Sequence, residues 1–426
     1  MHNTAEIQTV PLEIRRPHTQ PLIDDPLGIV VTGCAPGATV EMTALVDVTG
    51  AIYDARATFI ADDSGIINTA LQPSQGGTYS GVDPFGLWWS GRRLRQSTTE
   101  PLTLATCQLK VEAGARATES VLERPWVAPG VTLTPVREPG VVGLFARPAG
   151  DGPFPGAIAF VGSSGGLGAA DSWAATLAAH GMATLAIAYF GLPGLPQTLV
   201  NIEVEVVERA VSWLRGRADL TSQPVAVIGL SRGSELALLA AALFEHIGPV
   251  VAFSPSGISW SGLGPGGPVD APAWTFRGQS VPYLKHLMPD IGAIQGQGPL
   301  ALRPMMERAL EDAEAVRAAE IPVERITGPV LMISGEGDAM WPSVRLADIA
   351  VQRAAQHGVG SRITHLQYAD AGHLCGGVPG LPVPGEVRLS QGFMSLGGTP
   401  AGNARARADS WPRVLAFLAH AFANLN

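Results

Sequence analysis

One serine framed by two glycines constrains this chain more than any other feature. Gly229-Leu230-Ser231-Arg232-Gly233 follows the apolar run Val225-Ala226-Val227-Ile228 and precedes Ser234–Phe244, which reads as a helix. A strand that enters a helix through G-x-S-x-G lifts its serine hydroxyl above the sheet edge on a strained turn. The glycines remove the Cβ clashes that such a turn creates. The backbone N–H of Arg232 then lies at the positive end of a helix, facing the place where negative charge would develop. The bland reading is a tight strand–helix turn with an incidental serine, and the flanking segments weigh against it. A second serine cluster, Gly257-Ile258-Ser259-Trp260-Ser261, lacks the closing glycine and lies in loop-rich sequence.

A serine nucleophile needs a base, and the base needs an orienting acid. In the fold that carries such a nucleophile elbow these follow in the order Ser, acid, His. The strand-like run Val330–Ser334 leads into Gly335-Glu336-Gly337-Asp338, which offers Asp338 as the acid and Glu336 as its rival. Asp370-Ala371-Gly372-His373 follows the next strand, Ile363–Tyr368, and offers His373. His357 and His365 fall before or within that strand, and His420 lies on the last helix. A loop carboxylate alone would be read as a turn cap. A second oxyanion donor is expected from the glycine-rich loop Phe160-Val161-Gly162-Ser163-Ser164-Gly165-Gly166, at Ser164 or Gly165. That loop fits neither G-x-G-x-x-G nor G-x-x-x-x-G-K-[ST], so a phosphate cradle is disfavoured.

The rest of the chain fits two bodies, as its 426 residues suggest. Residues 1–127 carry short runs rich in Val, Ile and Thr, broken by Gly and Pro: Leu27–Cys34, Thr39–Val48, Ile52–Ile60 and Leu102–Val111. These predict a small antiparallel sandwich. Phe85 and Leu87-Trp88-Trp89 read as core of the sandwich or of the boundary between the bodies, and about Gly114–Gly130 as the connection. From residue 128 a hairpin (Val131–Val136, Val141–Ala146) opens an α/β pattern. Strands at Gly156–Val161, Ala183–Tyr189, Pro224–Ile228, Val250–Phe253, Val330–Ile333 and Ile363–Tyr368 alternate with helical segments, including Ala169–His180 and Ile202–Arg217. This predicts a mostly parallel sheet covered on both faces. Gly- and Pro-rich loops, then a polar helix at Ala301–Glu320, interrupt the rhythm at about 255–325, where a cap-like insertion is expected. Trp411–Ala423 reads as the closing helix.

Composition narrows the partners. Lys and Arg number 28 against 37 Asp and Glu, a formal net charge of −9, with no basic run, so a nucleic-acid surface is not expected. Cys34, Cys107 and Cys375 make no metal or disulfide spacing, which fits a reducing compartment. Met1–Arg16 has no apolar segment of the secretory kind. The most apolar stretch, Leu236–Phe244, is too short to span a bilayer. A cytoplasmic protein without metal or redox cofactor is therefore expected.

Several stretches together resemble a known family. They are Pro21-Leu22-Ile23-Asp24-Asp25-Pro26-Leu27 and Gly81-Val82-Asp83-Pro84-Phe85-Gly86-Leu87-Trp88-Trp89-Ser90 in the first body. In the second they are Leu185–Phe190 with Gly194-Leu195-Pro196, Gly229–Leu238, Ile321–Arg325, Ile333–Asp338 with Trp341-Pro342-Ser343, and Ala371–Leu374. The chain resembles the type I acyl-CoA thioesterase and bile acid-CoA:amino acid N-acyltransferase family over nearly its whole length. The resemblance implies an N-terminal immunoglobulin-like sandwich followed by an α/β-hydrolase domain, with Ser231, Asp338 and His373 as the triad. It implies an acyl thioester substrate carried on CoA or a related carrier. Amide-forming members place Cys at the nucleophile position, so Ser231 points to hydrolysis.

Three other readings stand beside this one. An acyltransferase would use the same triad with an amine or alcohol in place of water. A simple ester or lactone hydrolase would not need CoA. A binding protein on a retired hydrolase fold would not need an intact triad.

Overall fold

The computed structural model describes residues 11–424 apart from 16–19, 101, 288–297 and 390–391. Part of the Met1–Arg16 segment, and part of the loop-rich stretch that leads to Pro299, therefore lie outside the described residues. The chain divides into two compact units. Met1–Val127 with Pro379–Pro382 forms one, and Ala128–Val378 with Val383–Asn426 the other.

The first unit is all-β apart from one turn of helix at Gly86–Trp89. Strands β1 (Glu13–Arg15), β2 (Val30–Thr32) and β5 (Ile67–Asn68) make a small sheet. A larger one holds β3 (Thr39–Val48), β4 (Ala51–Ile60), β6 (Gly76–Gly77), β7 (Arg92–Gln96), β8 (Leu104–Ala113) and β9 (Arg116–Pro125). Alternation decides what is buried. Val40, Met42, Ala44 and Val46 on β3 face inward, as do Cys107, Leu109 and Val111 on β8. The register pairs Met42 with Val111, Ala44 with Leu109 and Val46 with Cys107. One buried face with one solvated face is what a period of two produces.

The expected connection at Gly114–Gly130 is instead mostly strand. β9 pairs with β8 from Leu104↔Pro125 to Ala113↔Arg116. Its apolar signal was hidden because only Leu122 and Arg124 along it are buried. Arg124 is fully buried and explains two of the sequence motifs. Its guanidinium donates to the Leu22 and Asp25 carbonyls and lies 5.3 and 4.9 Å from the Phe85 and Trp88 ring centroids. Gly380, with φ +72°, packs under Phe85 in the same cluster; a methyl there would come within 2.6 Å of the ring.

The second unit is built on one eight-stranded sheet. Its strands are β10 (Thr132–Glu138), β11 (Val141–Arg147), β12 (Gly156–Phe160), β13 (Ala183–Ala188), β14 (Val225–Leu230), β15 (Ile247–Phe253), β16 (Val330–Gly335) and β17 (Ile363–Tyr368). In space they run β10-β11-β13-β12-β14-β15-β16-β17. β10 and β11 form an antiparallel hairpin, and the six strands from β13 to β17 are mutually parallel. β12 connects outward to β13, whereas the following strands build away on its other side. Loops after β12 and β14 thus part at a switch point, where open α/β sheets hold their ligands. This is an α/β-hydrolase sheet.

Helices α1 (Ala170–Ala179), α2 (Glu205–Arg215), α3 (Arg232–Leu243), α4 (Ser343–Gln356) and α5 (Pro400–Ala423) accompany the sheet. On α2 the buried set is Val206, Val207, Ala210, Val211 and Leu214, a single helical stripe. Each such buried Val or Leu contributes roughly 1.5–3 kcal/mol relative to exposure. α3 has no polar face: Arg232 through Ala242 are all buried.

Two helices differ from expectation. The one at Ala301–Glu320 is split into Arg303–Ala309 and Ala313–Ala319, because Asp312 caps the second by accepting from Ala315 N at 3.0 Å. The closing helix begins at Pro400, capped by Thr399, and carries Pro412 inside it. Among the described residues no helix is long and apolar enough to cross a membrane.

Candidate active site

β14 delivers Ser231 to the edge of the sheet in a left-handed conformation, φ 58° and ψ −123°. Such a backbone costs a non-glycine residue of order 1–3 kcal/mol and persists only where its surroundings enforce it. Here Ser231 N donates to Phe253 O at 2.9 Å, while Ser231 O accepts from Ser234 N and Ser234 Oγ at 2.9 and 2.6 Å. Both framing glycines are sterically required. A Cβ on Gly229 would stand 2.2 Å from Gly233 O, and one on Gly233 would stand 2.5 Å from Val161 O.

β16 delivers Asp338, which is 1% exposed. Its Oδ1 accepts from Met340 N and Trp341 N at 2.9 and 3.3 Å. Its Oδ2 lies 2.9 Å from His373 Nδ1. Glu336, the rival, is exposed; its N–H donates to Tyr368 O at 3.0 Å and its carbonyl accepts from Arg303 Nη1 at 2.7 Å. β17 leads to His373, whose ring packs edge-on against Trp341 at 5.8 Å. His373 N donates to Leu396 O at 2.8 Å. The other two histidines near that strand are elsewhere: His365 Nε2 meets Ser334 Oγ, and His357 ends α4.

Ser254, which no motif marks, ties these pieces together. It follows β15 with φ 44°, donates its N–H to Ile333 O at 2.8 Å, and donates its hydroxyl to the His373 carbonyl at 2.6 Å. Ser231 is held by Phe253 and His373 by Ser254, so both hang from the same strand end. β14, β15, β16 and β17 are consecutive neighbours, and their ends carry Ser231, Ser254, Asp338 and His373 in that order.

The glycine-rich loop after β12 approaches this edge at its first residue. A methyl on Gly162 would lie 2.9 Å from Ser231 Cβ and 3.0 Å from Arg232 N. Ser164 is exposed, and Gly165 N–H is already donated to Gly162 O at 3.3 Å within the turn. The sequence locates the loop, but the turn inside it decides which N–H groups remain available. Among the described residues no group of three or more His, Cys, Asp or Glu is gathered as metal ligands would be.

With this geometry in place, comparison with known proteins is informative. Residues 202–424 match the model described as BAAT / Acyl-CoA thioester hydrolase C terminal, and residues 24–138 match the Acyl-CoA thioester hydrolase/BAAT N-terminal region. The chain belongs to the BAAT/acyl-CoA thioester hydrolase family. Among its relatives is mouse acyl-coenzyme A thioesterase 6, 32% identical over 92% of this chain and 93% of that one. The mouse peroxisomal succinyl-coenzyme A thioesterase is 29% identical, with the same 92% and 93% covered. Mouse mitochondrial acyl-coenzyme A thioesterase 2 is 30% identical over 92% of this chain and 86% of that one. A solved dienelactone hydrolase-like phosphotriesterase from metagenomic libraries is similar at TM-score 0.42 and 16% identity, covering 68% of this chain and 99% of its own.

The family match covers the elbow, the Asp338 loop and His373 in a single span. It also spans Ser254, which no motif marks, and Glu235 and Trp341, whose family-like stretches give no hint of the contacts they make. A polar residue directly after an apolar strand was the one available signal for Ser254. Nothing in spacing distinguishes it from an ordinary loop serine.

Proposed function

We propose that this chain hydrolyses acyl thioesters, with acyl-CoA as the substrate class, through Ser231, His373 and Asp338. The carrying observation is the left-handed, buried Ser231 at the end of β14, with β15 between it and β16 and β17, whose ends carry an Asp338–His373 pair joined at 2.9 Å. The relatives named as acyl-CoA thioesterases support the substrate class.

In this reading Asp338 fixes His373 with its Nδ1 protonated, leaving Nε2 to take the Ser231 proton. Ser231 Oγ attacks the thioester carbonyl. The oxyanion is held by Arg232 N–H and by the Ser163–Ser164 segment that follows Gly162. The C–S bond breaks, and His373 returns the proton to the departing thiolate. Water, deprotonated by His373, then releases the acid and restores Ser231. These steps call on no cofactor. We place the enzyme in the cytoplasm, since Cys34, Cys107 and Cys375 are free and buried.

The test is a panel of acyl-CoA, acyl-pantetheine and simple acyl esters, with products identified by mass spectrometry in the presence of glycine and taurine. Free acid from acyl-CoA, with a higher kcat/KM than from esters, is the expected result. Conjugate as the main product would replace hydrolysis by acyl transfer. A preference for simple esters would remove CoA from the assignment.

A further inference from the structure

Directly behind Ser231, two charged side chains are buried that the proposed reaction does not use. Arg232 and Glu235 lie one helical turn apart on α3, 3% and 0% exposed, with Nε and Oε2 3.3 Å apart. Burial pushes the Glu235 carboxyl up and the Arg232 guanidinium down from their ordinary values. Such a pair adds little to stability unless every polar atom is satisfied. This one is not: Arg232 Nη1 and Glu235 Oε2 have no hydrogen-bond partner among the described residues. Its retention beside the elbow therefore asks for another reason.

The partners supply one. Arg232 Nη2 donates to Trp260 O and Ser261 O at 3.0 and 3.2 Å. Glu235 Oε1 accepts from Trp260 N at 2.9 Å, Ser259 Oγ at 3.1 Å and Trp274 Nε1 at 2.5 Å. The Trp274 ring packs 5.7 Å from Tyr189, and the Arg232 guanidinium lies 5.9 Å from its centroid. Tyr189 in turn donates its hydroxyl to Val161 O at 2.7 Å, with Gly162 O at 3.3 Å. A closed chain of contacts thus runs from the first turn of α3, through the insertion, to the root of the loop after β12.

We propose that Arg232 and Glu235 are positioning residues that hold the two halves of the oxyanion site, the Arg232 N–H and the segment after Gly162, at a fixed spacing through Trp260, Trp274 and Tyr189. The proposal rests on Ser231 acting as the nucleophile. One guanidinium nitrogen donating to two carbonyls and one carboxylate oxygen accepting three donors fix orientation in a way that a packed apolar pair would not. Because the oxyanion exists only in the tetrahedral intermediate and its flanking transition states, not in bound substrate, loosening this spacing lowers kcat and leaves KM nearly unchanged.

The decisive variant is Arg232→Met/Glu235→Leu, which removes both charges at similar volume and keeps the backbone N–H. It also leaves Trp260 N, Trp274 Nε1 and the Trp260 and Ser261 carbonyls without these partners, so Tm falls and kcat is read per folded molecule. The expected result, well below the melting transition, is a kcat per folded molecule on acyl-CoA lowered ~10-fold or more, and an equal drop in the rate of labelling by a fluorophosphonate serine probe. Wild-type kcat per folded molecule overturns the inference. So does a raised KM with unchanged kcat, which would make the pair part of the substrate wall only. If the double variant does not fold, Tyr189→Phe cuts the same chain of contacts at its far side without touching either charge. A lowered kcat at normal Tm then supports the proposal, and a normal kcat overturns it. Ser231→Ala serves as the control: activity in that variant removes the nucleophile reading itself, whatever the other variants do.

Discussion

The two units bury polar side chains in opposite ways. In the first, Arg124 is enclosed by carbonyls and rings within a sheet whose alternation closes a core. Its left-handed non-glycine residues, Thr49 and Leu102, lie in turns between strands. In the second, Ser231 and Ser254 are left-handed and buried at strand ends, beside a buried Asp338–His373 pair. Strain and buried polarity spread apart make scaffolding. Gathered at one sheet edge, they make a site. Four experiments test that contrast, ordered by expected effect.

Ser231→Ala should abolish thioester cleavage, by ~10⁴-fold or more, as loss of a triad nucleophile does. Its Tm should hold, since the hydroxyl is not part of the packed core. Thiol release with a colorimetric reagent and a thermal melt check both halves; substantial turnover would erase the contrast altogether.

Asp338→Asn should cost about 10³- to 10⁴-fold in kcat, because an amide presents the wrong tautomer to His373. Glu336→Gln, two residues away and exposed, should change kcat less than about 3-fold. Steady-state kinetics on the two proteins decide the matter, and a reversed order would move the acid to Glu336.

Arg124→Met belongs to the other side of the comparison. It leaves the Leu22 and Asp25 carbonyls without their donor, at a cost of about 2–3 kcal/mol. The folded fraction should retain its kcat. Urea unfolding and active-site titration separate the two quantities. A folded variant with lowered kcat per site would show the first unit taking part in the chemistry.

The smallest effect concerns Glu324, whose carboxyl is held down at about 2 by hydrogen bonding from Arg353. A carboxylate with a depressed folded value stabilises fully above its unfolded value and loses that contribution as pH falls toward the folded one. Glu324→Gln should therefore lower the unfolding free energy at pH 7, read from urea melts, by about 1 kcal/mol. The deficit should shrink steadily from about pH 4.5 down to about pH 2. A pH-independent deficit would mean that packing, not charge, is lost.

Much of this was legible in the chain because the signals were local. The elbow is a contiguous pentapeptide, and its glycines are demanded by contacts within a few residues and one neighbouring strand. Asp338 and His373 each follow an apolar run at a strand end. β9 was illegible because its inward face is completed by Arg124 instead of a row of apolar residues. Ser254, Tyr189 and Glu235 were illegible for a different reason. Their partners lie 119, 28 and 39 residues away in sequence. No periodicity encodes such pairings, and only the folded topology brings them together.

One short segment limits how this protein can be taken apart. Pro379–Pro382 follows His373 by a few residues, yet packs with Met1–Val127, where Gly380 lies under Phe85. The two units are therefore not consecutive beads on a string. A gene cut at Val127 yields two products that each lack a piece of sequence: the first a plug for its Phe85–Arg124 shelf, the second a place for four of its residues. Exchange of modules between relatives would have to carry both stretches at once. Swapping the N-terminal half alone would confront a resident Gly380 loop with a foreign shelf.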